Sequence, residues 1–570
     1  MNYAAIFHRP MSEYAHAVDA STYVFRLRAA KRDIKRCTFH YADRADMRPQ
    51  LSFASVEMPR VRRDAVYDWF EFTLHIGIPR IAYYFELSDG VDTIYYLGDC
   101  FERSPDQNRS DFFQFPFNLR ADRLQIPAWV SEAVVYNIFP DSFASGYRAI
   151  SQKSSCVRYR GETSSSLLGG TIGGIRENLD YILELGCNCI YLNPVFVSAS
   201  YHKYDTLDYF HIDPNRGTDE EFRDLVQKAH GMGIRVIVDG VFNHISWRHP
   251  FFQDVLEKGR KSPYFDWFYD LPDHPSYPEH GDAADYLCFA YVPEMPKTNT
   301  ANAELRKYFC KVGQYWIREF DVDDWRLDVA NEMDDGFLRA FRDAVKTAKP
   351  EALVIGEVWE NAAHYLNGNM LDSAMNYDFR RFCSQFFAAR CISAEEFDLR
   401  VSCLLMRYYK QAIPAQLNLL DSHDVSRFLT LCGGDRDRME LAVVFQMTFP
   451  GMPSVFYGDE KGLEGKEEPE YRRAMDFDRR DPLEAVYRKL ISLRRNHHAL
   501  KYGEFITLKA KGGLYVFQRK TAGETATIYL NSGSGAESVS ASDLPLLQKN
   551  FENGLLKENG YIIVVSKEPT

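Results

Sequence analysis

Four short apolar runs in the middle of this chain each end in a cluster of polar residues suited to acid–base and nucleophilic chemistry. They read Asp239-Gly-Val-Phe-Asn-His244, Trp325-Arg-Leu-Asp328, Gly356-Glu-Val-Trp359 and Asp421-Ser-His-Asp424. One strand-end carboxylate is more often a helix cap or half of a structural ion pair than a catalyst. Several in chain order, each behind an apolar run, form a stronger pattern. Arg326 and Asp328 are two residues apart, so on a strand both side chains point the same way. A neighbouring guanidinium lowers a carboxyl pKa and fixes its orientation, which suits Asp328 as a nucleophile. Glu357 follows Leu353-Val-Ile-Gly and precedes Trp359. A partly apolar mouth near another carboxylate would raise its pKa and let it donate a proton to a glycosidic oxygen. The plainer reading of Glu357 is a partner for Arg326.

Such residues need strands that bring them to one rim. Eight apolar runs alternate with helical stretches, beginning near Val134, Cys189, Arg235, Asp324, Leu353, Ala374, Gln416 and Ser454. Alternation of this kind signals βαβ units, and eight of them close into a (β/α)8 TIM barrel whose active site lies at the C-terminal strand ends. The barrel is expected over 123–500. It includes an excursion after the third strand, 244–303, that is far longer than an ordinary βα loop. Residues 1–122 show period-2 strands such as Thr22–Arg28, Trp69–Leu74 and Ile81–Leu87, which predict an immunoglobulin-like β-sandwich. The same alternation returns at Gly513–Gln518 and Ala526–Leu530, predicting a small all-β sandwich over 501–570. The fold class is thus multidomain α/β around a central barrel.

Composition narrows the partners. At 570 residues the chain exceeds what one core serves. A net charge of −12 argues against nucleic acid, whose binding is driven by clustered Lys and Arg. No apolar run is long enough to span a bilayer, and Met1–Tyr14 lacks the basic patch and apolar stretch of a secretory signal. Eleven cysteines without metal-ligand spacing fit free thiols in a reducing cytoplasm.

The four clusters resemble the four diagnostic regions of the α-amylase family, glycoside hydrolase family 13. Two further segments agree in order: Met295-Pro-Lys-Thr-Asn299 in the excursion and Gly451-Met-Pro-Ser-Val-Phe-Tyr-Gly-Asp459 at the eighth strand. The resemblance spans essentially the whole chain. It implies a retaining α-glucan hydrolase in which Asp328 is the nucleophile, Glu357 the general acid/base and Asp424 the third carboxylate, holding sugar hydroxyls. It also implies substrate contacts from His244, Arg326, Glu332, Trp359 and His423, and an aromatic platform at Tyr204.

Local features resemble the neopullulanase, cyclomaltodextrinase and maltogenic amylase branch. Ile6-Phe-His-Arg-Pro10 is similar to the opening of the family 34 carbohydrate-binding module. Val329-Ala-Asn-Glu332 ends in the branch's glutamate, and Glu468-Pro-Glu-Tyr-Arg-Arg473 resembles its acidic substrate-contacting segment, from which Arg472 carries over. This likeness implies cyclodextrins or short α-glucan oligosaccharides as substrates and a homodimer in which one sandwich covers the other subunit's site. Two departures bear on function. The loop Ala144-Ser-Gly-Tyr-Arg-Ala-Ile150 and Gly169-Gly-Thr-Ile172 lack the carboxylates of the branch's calcium loop, so no metal or cofactor is expected to be required. Asp421 stands where Gly is frequent. Two rivals remain at this level: transglycosylation onto a sugar acceptor, and a non-catalytic carbohydrate-binding scaffold, which the intact carboxylates disfavour.

Overall fold

The computed structural model describes residues 1–98, 100–105, 109–149, 168–278, 282–540 and 544–567. Eight parallel strands form its centre: β1 (Val135–Ile138), β2 (Cys189–Leu192), β3 (Arg235–Gly240), β4 (Asp324–Leu327), β5 (Val354–Gly356), β6 (Ser373–Ala374), β7 (Leu417–Leu419) and β8 (Met452–Phe456). They pair in the order β6-β5-β4-β3-β2-β1-β8-β7. A parallel bridge between Met375 and Leu417 closes the ring. All eight are the runs expected from sequence. Nearly every residue in them is buried, because helices cover the outside and side chains fill the inside.

The helices begin where capping chemistry places them. Thr218 and Glu221 make a reciprocal capping box ahead of Asp219–Gly231, and Asn302 caps Ala303–Phe320. The excursion after β3 folds back onto its origin. Thr298 donates its hydroxyl to Phe242 O at 2.6 Å and its N–H to Asn243 O at 3.0 Å. The Thr298 hydroxyl is therefore buried and bonded.

Residues 1–115 form two facing antiparallel sheets. One joins Ala15–Ala17, Thr22–Ala30, Tyr67–His75 and Arg60–Arg63; the other is built around Arg36–Asp43 and Ile81–Ser88. Phe25, Phe39, Tyr83 and Phe85 pack between them. Beyond Gly503 a single six-stranded antiparallel sheet follows. Tyr515, Phe517, Ile528 and Ile563 on one face join the barrel's own core, while Leu514, Val516, Leu556 and Ile562 on the other make a small separate cluster.

The sandwich docks on the barrel through a buried ion pair. Arg26 Nε lies 2.7 Å from Glu71 Oε2, and its Nη1 donates to Met406 O and Tyr408 O at 3.3 and 2.5 Å. Lys410 Nζ reaches Glu71 Oε1 at 2.7 Å. Burial works to raise the Glu71 carboxyl, but Arg26 and Lys410 outweigh it and hold it at about 2. A depressed carboxyl pKa contributes stability that is full above the ordinary 4.5 and is lost as pH falls through about 2. Glu71→Gln leaves Arg26 buried without its counter-charge, which is expected to cost about 3–5 kcal/mol at neutral pH. Urea titrations should show this gap narrowing as pH falls across that window.

Candidate active site

β3, β4 and β5 end side by side around one guanidinium. Asp239 in β3 and Arg326 in β4 are in direct register. Arg326, fully buried, donates Nη1–H to Asp239 Oδ1 at 2.7 Å and to Asp328 Oδ1 at 2.9 Å. Its Nη2 lies 2.8 Å from Glu357 Oε2. One planar fork therefore touches all three carboxylates and fixes the spacing of Asp328 and Glu357. Backbone bonds continue past the strand ends: Asp328 N–H to Gly240 O at 3.0 Å and Glu357 N–H to Leu327 O at 2.9 Å.

The expectation that Arg326 would keep the Asp328 pKa low is not met. Burial pushes that carboxyl well above its ordinary value, opposed by Arg326, with Glu357, Asp239 and Asp424 adding to the rise. The physical reason is that one positive charge is divided among three carboxylates.

Glu357 is held by two donors. Trp359 Nε1–H reaches Oε1 and the Val329 N–H reaches Oε2, each at 3.0 Å. Trp359 is stacked on Tyr377 with centroids 3.9 Å apart, so the tryptophan expected to contact substrate at a partly apolar mouth also orients the acid. Val329 sits at φ 46°, ψ 49°, a left-handed conformation that a β-branched residue adopts only under strain. That strained peptide aims its N–H at Glu357.

Opposite this cluster stands Asp424. Its Oδ2 lies 2.9 Å from His423 Nε2 and its Oδ1 3.2 Å from Arg472 Nη2. Burial raises this carboxyl, but His423 and Arg472 outweigh it and hold it well below the usual carboxylate range. Asn193 Nδ2 contacts His423 Nδ1 at 2.9 Å, and Tyr204 lies parallel to the imidazole at 5.4 Å while its hydroxyl donates to Asp239 Oδ2 at 3.0 Å. Arg472 also donates Nε–H to His423 O at 2.7 Å. Arg472→Gln is therefore expected to raise KM about tenfold with a smaller change in kcat, since it loosens a substrate-holding carboxylate. Initial rates over a substrate series check this.

His244 packs parallel to Phe289 at 4.7 Å, and burial pulls its imidazole down to about 3, so it is neutral. Its Nε2 has no hydrogen-bond partner and lies 4.0 Å from Asp328 Oδ2. With Asn243 Nδ2 at 3.4 Å from Nδ1, the proton is assigned to Nε2, and the ring lines the cavity.

A cavity of about 550 Å³ lies above these groups, lined by Tyr204, His244, Asp328, Glu332, Glu357, Trp359, Asp424 and Arg472 among others. Arg326 lies beneath it and His423 behind Asp424. Glu332 is exposed at the rim, 3.3 Å from Lys297 Nζ. Phe289 and His202 also line the cavity and were not singled out from the sequence, whereas Met295 and Glu468, which line it too, open two of the segments quoted for the resemblance. Asn193 was missed too, although it directly follows β2 and the strand-end rule would have found it. The excursion's Phe289 and Met295 carry no periodic signal.

The segment where the branch's calcium loop is expected is described only in part. Its described residues, Ala144–Ala149, include no carboxylate; Ile150 lies outside the described residues. Asp141 just before it is 2.7 Å from Arg216 and accepts N–H groups from Leu168 and Gly169. Arg148 there faces Asp180 and Glu184.

Comparison with known proteins agrees with this arrangement. The family described as alpha amylase, catalytic domain, matches residues 137–482, and the alpha amylase N-terminal ig-like domain matches 1–118. The chain belongs to the α-amylase family. It is 40% identical over 569 residues to a cyclomaltodextrinase of Thermoanaerobacter pseudethanolicus, covering 98% of this chain and 97% of that one. It is 38% identical over 546 residues to neopullulanase 2 of Thermoactinomyces vulgaris, covering 94% and 92%. A solved cyclomaltodextrinase structure superposes with a TM-score of 0.90 at 34% identity, covering 100% of this chain and 98% of the other. As a member of this family the chain is a glycoside hydrolase, which removes the scaffold reading. No described helix is long and apolar enough to cross a membrane.

Proposed function

We propose that this enzyme opens α-1,4 and, secondarily, α-1,6 glucosidic bonds in cyclodextrins and short maltooligosaccharides by double displacement. The observation that carries the reading is the Arg326 fork, which holds Asp328 and Glu357 side by side below the cavity. Asp328 attacks the anomeric carbon while Glu357 gives its proton to the departing glycosidic oxygen. Glu357 then takes a proton from water, whose oxygen displaces Asp328. Asp424, kept ionised, and neutral His244 hold the hydroxyls of the distorted sugar. The names of the relatives, cyclomaltodextrinase and neopullulanase 2, support the substrate class. Rates on β-cyclodextrin, pullulan and soluble starch test it. Fastest turnover on β-cyclodextrin is expected; a preference for starch contradicts the reading.

A second reading, transglycosylation, is favoured by one observation. Trp359 is 49% exposed beside Glu357, so an acceptor sugar can stack there while Glu357 takes its hydroxyl proton. Added glucose should then divert product into longer oligosaccharides.

The enzyme works as a homodimer in a reducing cytoplasm, without calcium. No described residue of the sandwich lines the catalytic cavity of its own chain. The sandwich also exposes Tyr3, Phe7 and Met11, which suits covering a partner's site. Apart from Cys100, the described cysteines are free thiols. Light scattering should give twice 65.9 kDa, and a chelator should leave the rate on β-cyclodextrin unchanged.

A further inference from the structure

A second cavity, of about 1080 Å³, lies far from this chemistry. Its walls come from three parts of the chain: the sandwich strand Arg60–Arg63, the barrel helix Ala394–Met406 and the C-terminal strand Glu504–Lys511. Ser131, Pro414 and Pro450 in the wall come just before β1, β7 and β8. The cleft therefore opens at the N-terminal end of the barrel, opposite the catalytic mouth. Nothing in the hydrolytic mechanism uses it.

Its charge is the reverse of the protein's. Ten lysine and arginine side chains line it against four carboxylates, in a chain with 68 basic and 80 acidic residues. Asp68 and Glu132 behind the lining pair with Arg63 and Lys501, which still leaves a clear excess of cations.

Two arginines sharpen the case. Arg519 is 1% exposed and donates to Gly503 O at 2.9 Å and Thr448 O at 2.8 Å; no carboxylate pairs with it among the described residues. Arg62 donates to Phe505 O and lies 5.3 Å above that ring, again with no ion pair among the described residues. Burial pulls both guanidinium groups below their ordinary pKa, with Tyr515 and Asp398 only partly opposing it at Arg62. A buried cation ordinarily has an anion against it. Buried Arg519 and half-buried Arg62 both line the cleft. Exposed Lys31, Arg32 and Lys509 add cations from two different domains.

The rest of the wall includes Leu399, Leu405, Ile413 and the Phe505 ring. Arginine forks match phosphate oxygens, and apolar surface beside them suits a ligand with a ring-bearing body. We propose that this inter-domain cleft binds a small organic polyphosphate of the nucleotide class. Because such a ligand bridges all three parts of the chain, binding stabilises the folded enzyme and weakens with salt.

Calorimetric titration and thermal unfolding of the full-length enzyme at low ionic strength test this, with ATP, inorganic pyrophosphate, glucose 1-phosphate and sulfate as probes. ATP is expected to bind and to raise Tm, pyrophosphate to bind more weakly, and the monophosphate and sulfate more weakly still. Arg62→Gln should weaken ATP binding about tenfold or more, the loss of one charge-assisted contact, while β-cyclodextrin hydrolysis without ATP is unchanged. Should Arg62→Gln fold poorly, Lys509→Gln, on an exposed side chain, carries the same expectation with a smaller effect. Pyrophosphate binding as tightly as ATP would overturn the ring-bearing ligand. Absence of binding by every probe, or ATP binding untouched by both variants, would overturn the site.

Discussion

Asp328→Asn is expected to abolish hydrolysis, lowering kcat by at least about 10⁴-fold, while leaving the fold at least as stable as wild type. The first half follows from chemistry. An amide cannot form the glycosyl ester, and what remains is binding and electrostatics alone. The second half follows from the site's electrostatics. Burial holds the Asp328 carboxyl well above its ordinary value. A carboxyl raised in the folded state favours folding only where it is protonated, and it opposes folding as pH rises past its unfolded value. A neutral amide of the same shape removes that opposition. Thermal unfolding at pH 7 should give an unchanged or higher Tm for the variant. A clear loss of stability would show that Asp328 is a structural anchor of Arg326 instead.

Arg326→Met should have the opposite profile, failing in both activity and stability. It leaves Asp239, Asp328 and Glu357 facing one another with no counter-charge. Removing one partner from a buried ionic cluster costs about 3–5 kcal/mol. Arg326→Lys separates the two effects. An ammonium restores a charge but not the fork, so it cannot meet Asp328 and Glu357 from two nitrogens at once. Stability should recover in part while kcat stays about 10²-fold down, since misplaced reacting groups are penalised steeply. Urea midpoints and single-turnover rates on the same preparations measure both. Equal activity in Arg326→Lys would mean that charge alone positions the pair.

The barrel was legible because its strands are buried on both faces and so appear as continuous apolar runs between helical stretches. Arg235–Gly240 and Asp324–Leu327 are examples, and the polar residues after them are where barrel geometry demands them. Spacing also placed Arg326 beside Asp328. Spacing could not reveal that Arg326 is shared with Asp239 and Glu357, because that depends on three strands meeting in register, and this sharing reverses the expected direction at Asp328. The indole bond from Trp359 to Glu357 was hidden for a related reason: sequence identifies an aromatic residue but not which edge faces its neighbour. The excursion's Phe289 and Lys297 reach the rim through a loop of short turns with no period to read. The basic cleft was invisible because its cations are spread from Arg26 to Arg519 in a chain that is acidic as a whole.

The central claim is that Asp328 forms the covalent bond and Glu357 moves the proton. Mass spectrometry of peptides from wild-type enzyme, quenched during turnover of a fluorinated maltosyl fluoride that slows the second displacement, tests it most directly. The account predicts one added glycosyl mass on the peptide that contains Asp328. The same mass on the peptide that contains Glu357, or no covalent adduct while substrate is being consumed, would contradict it.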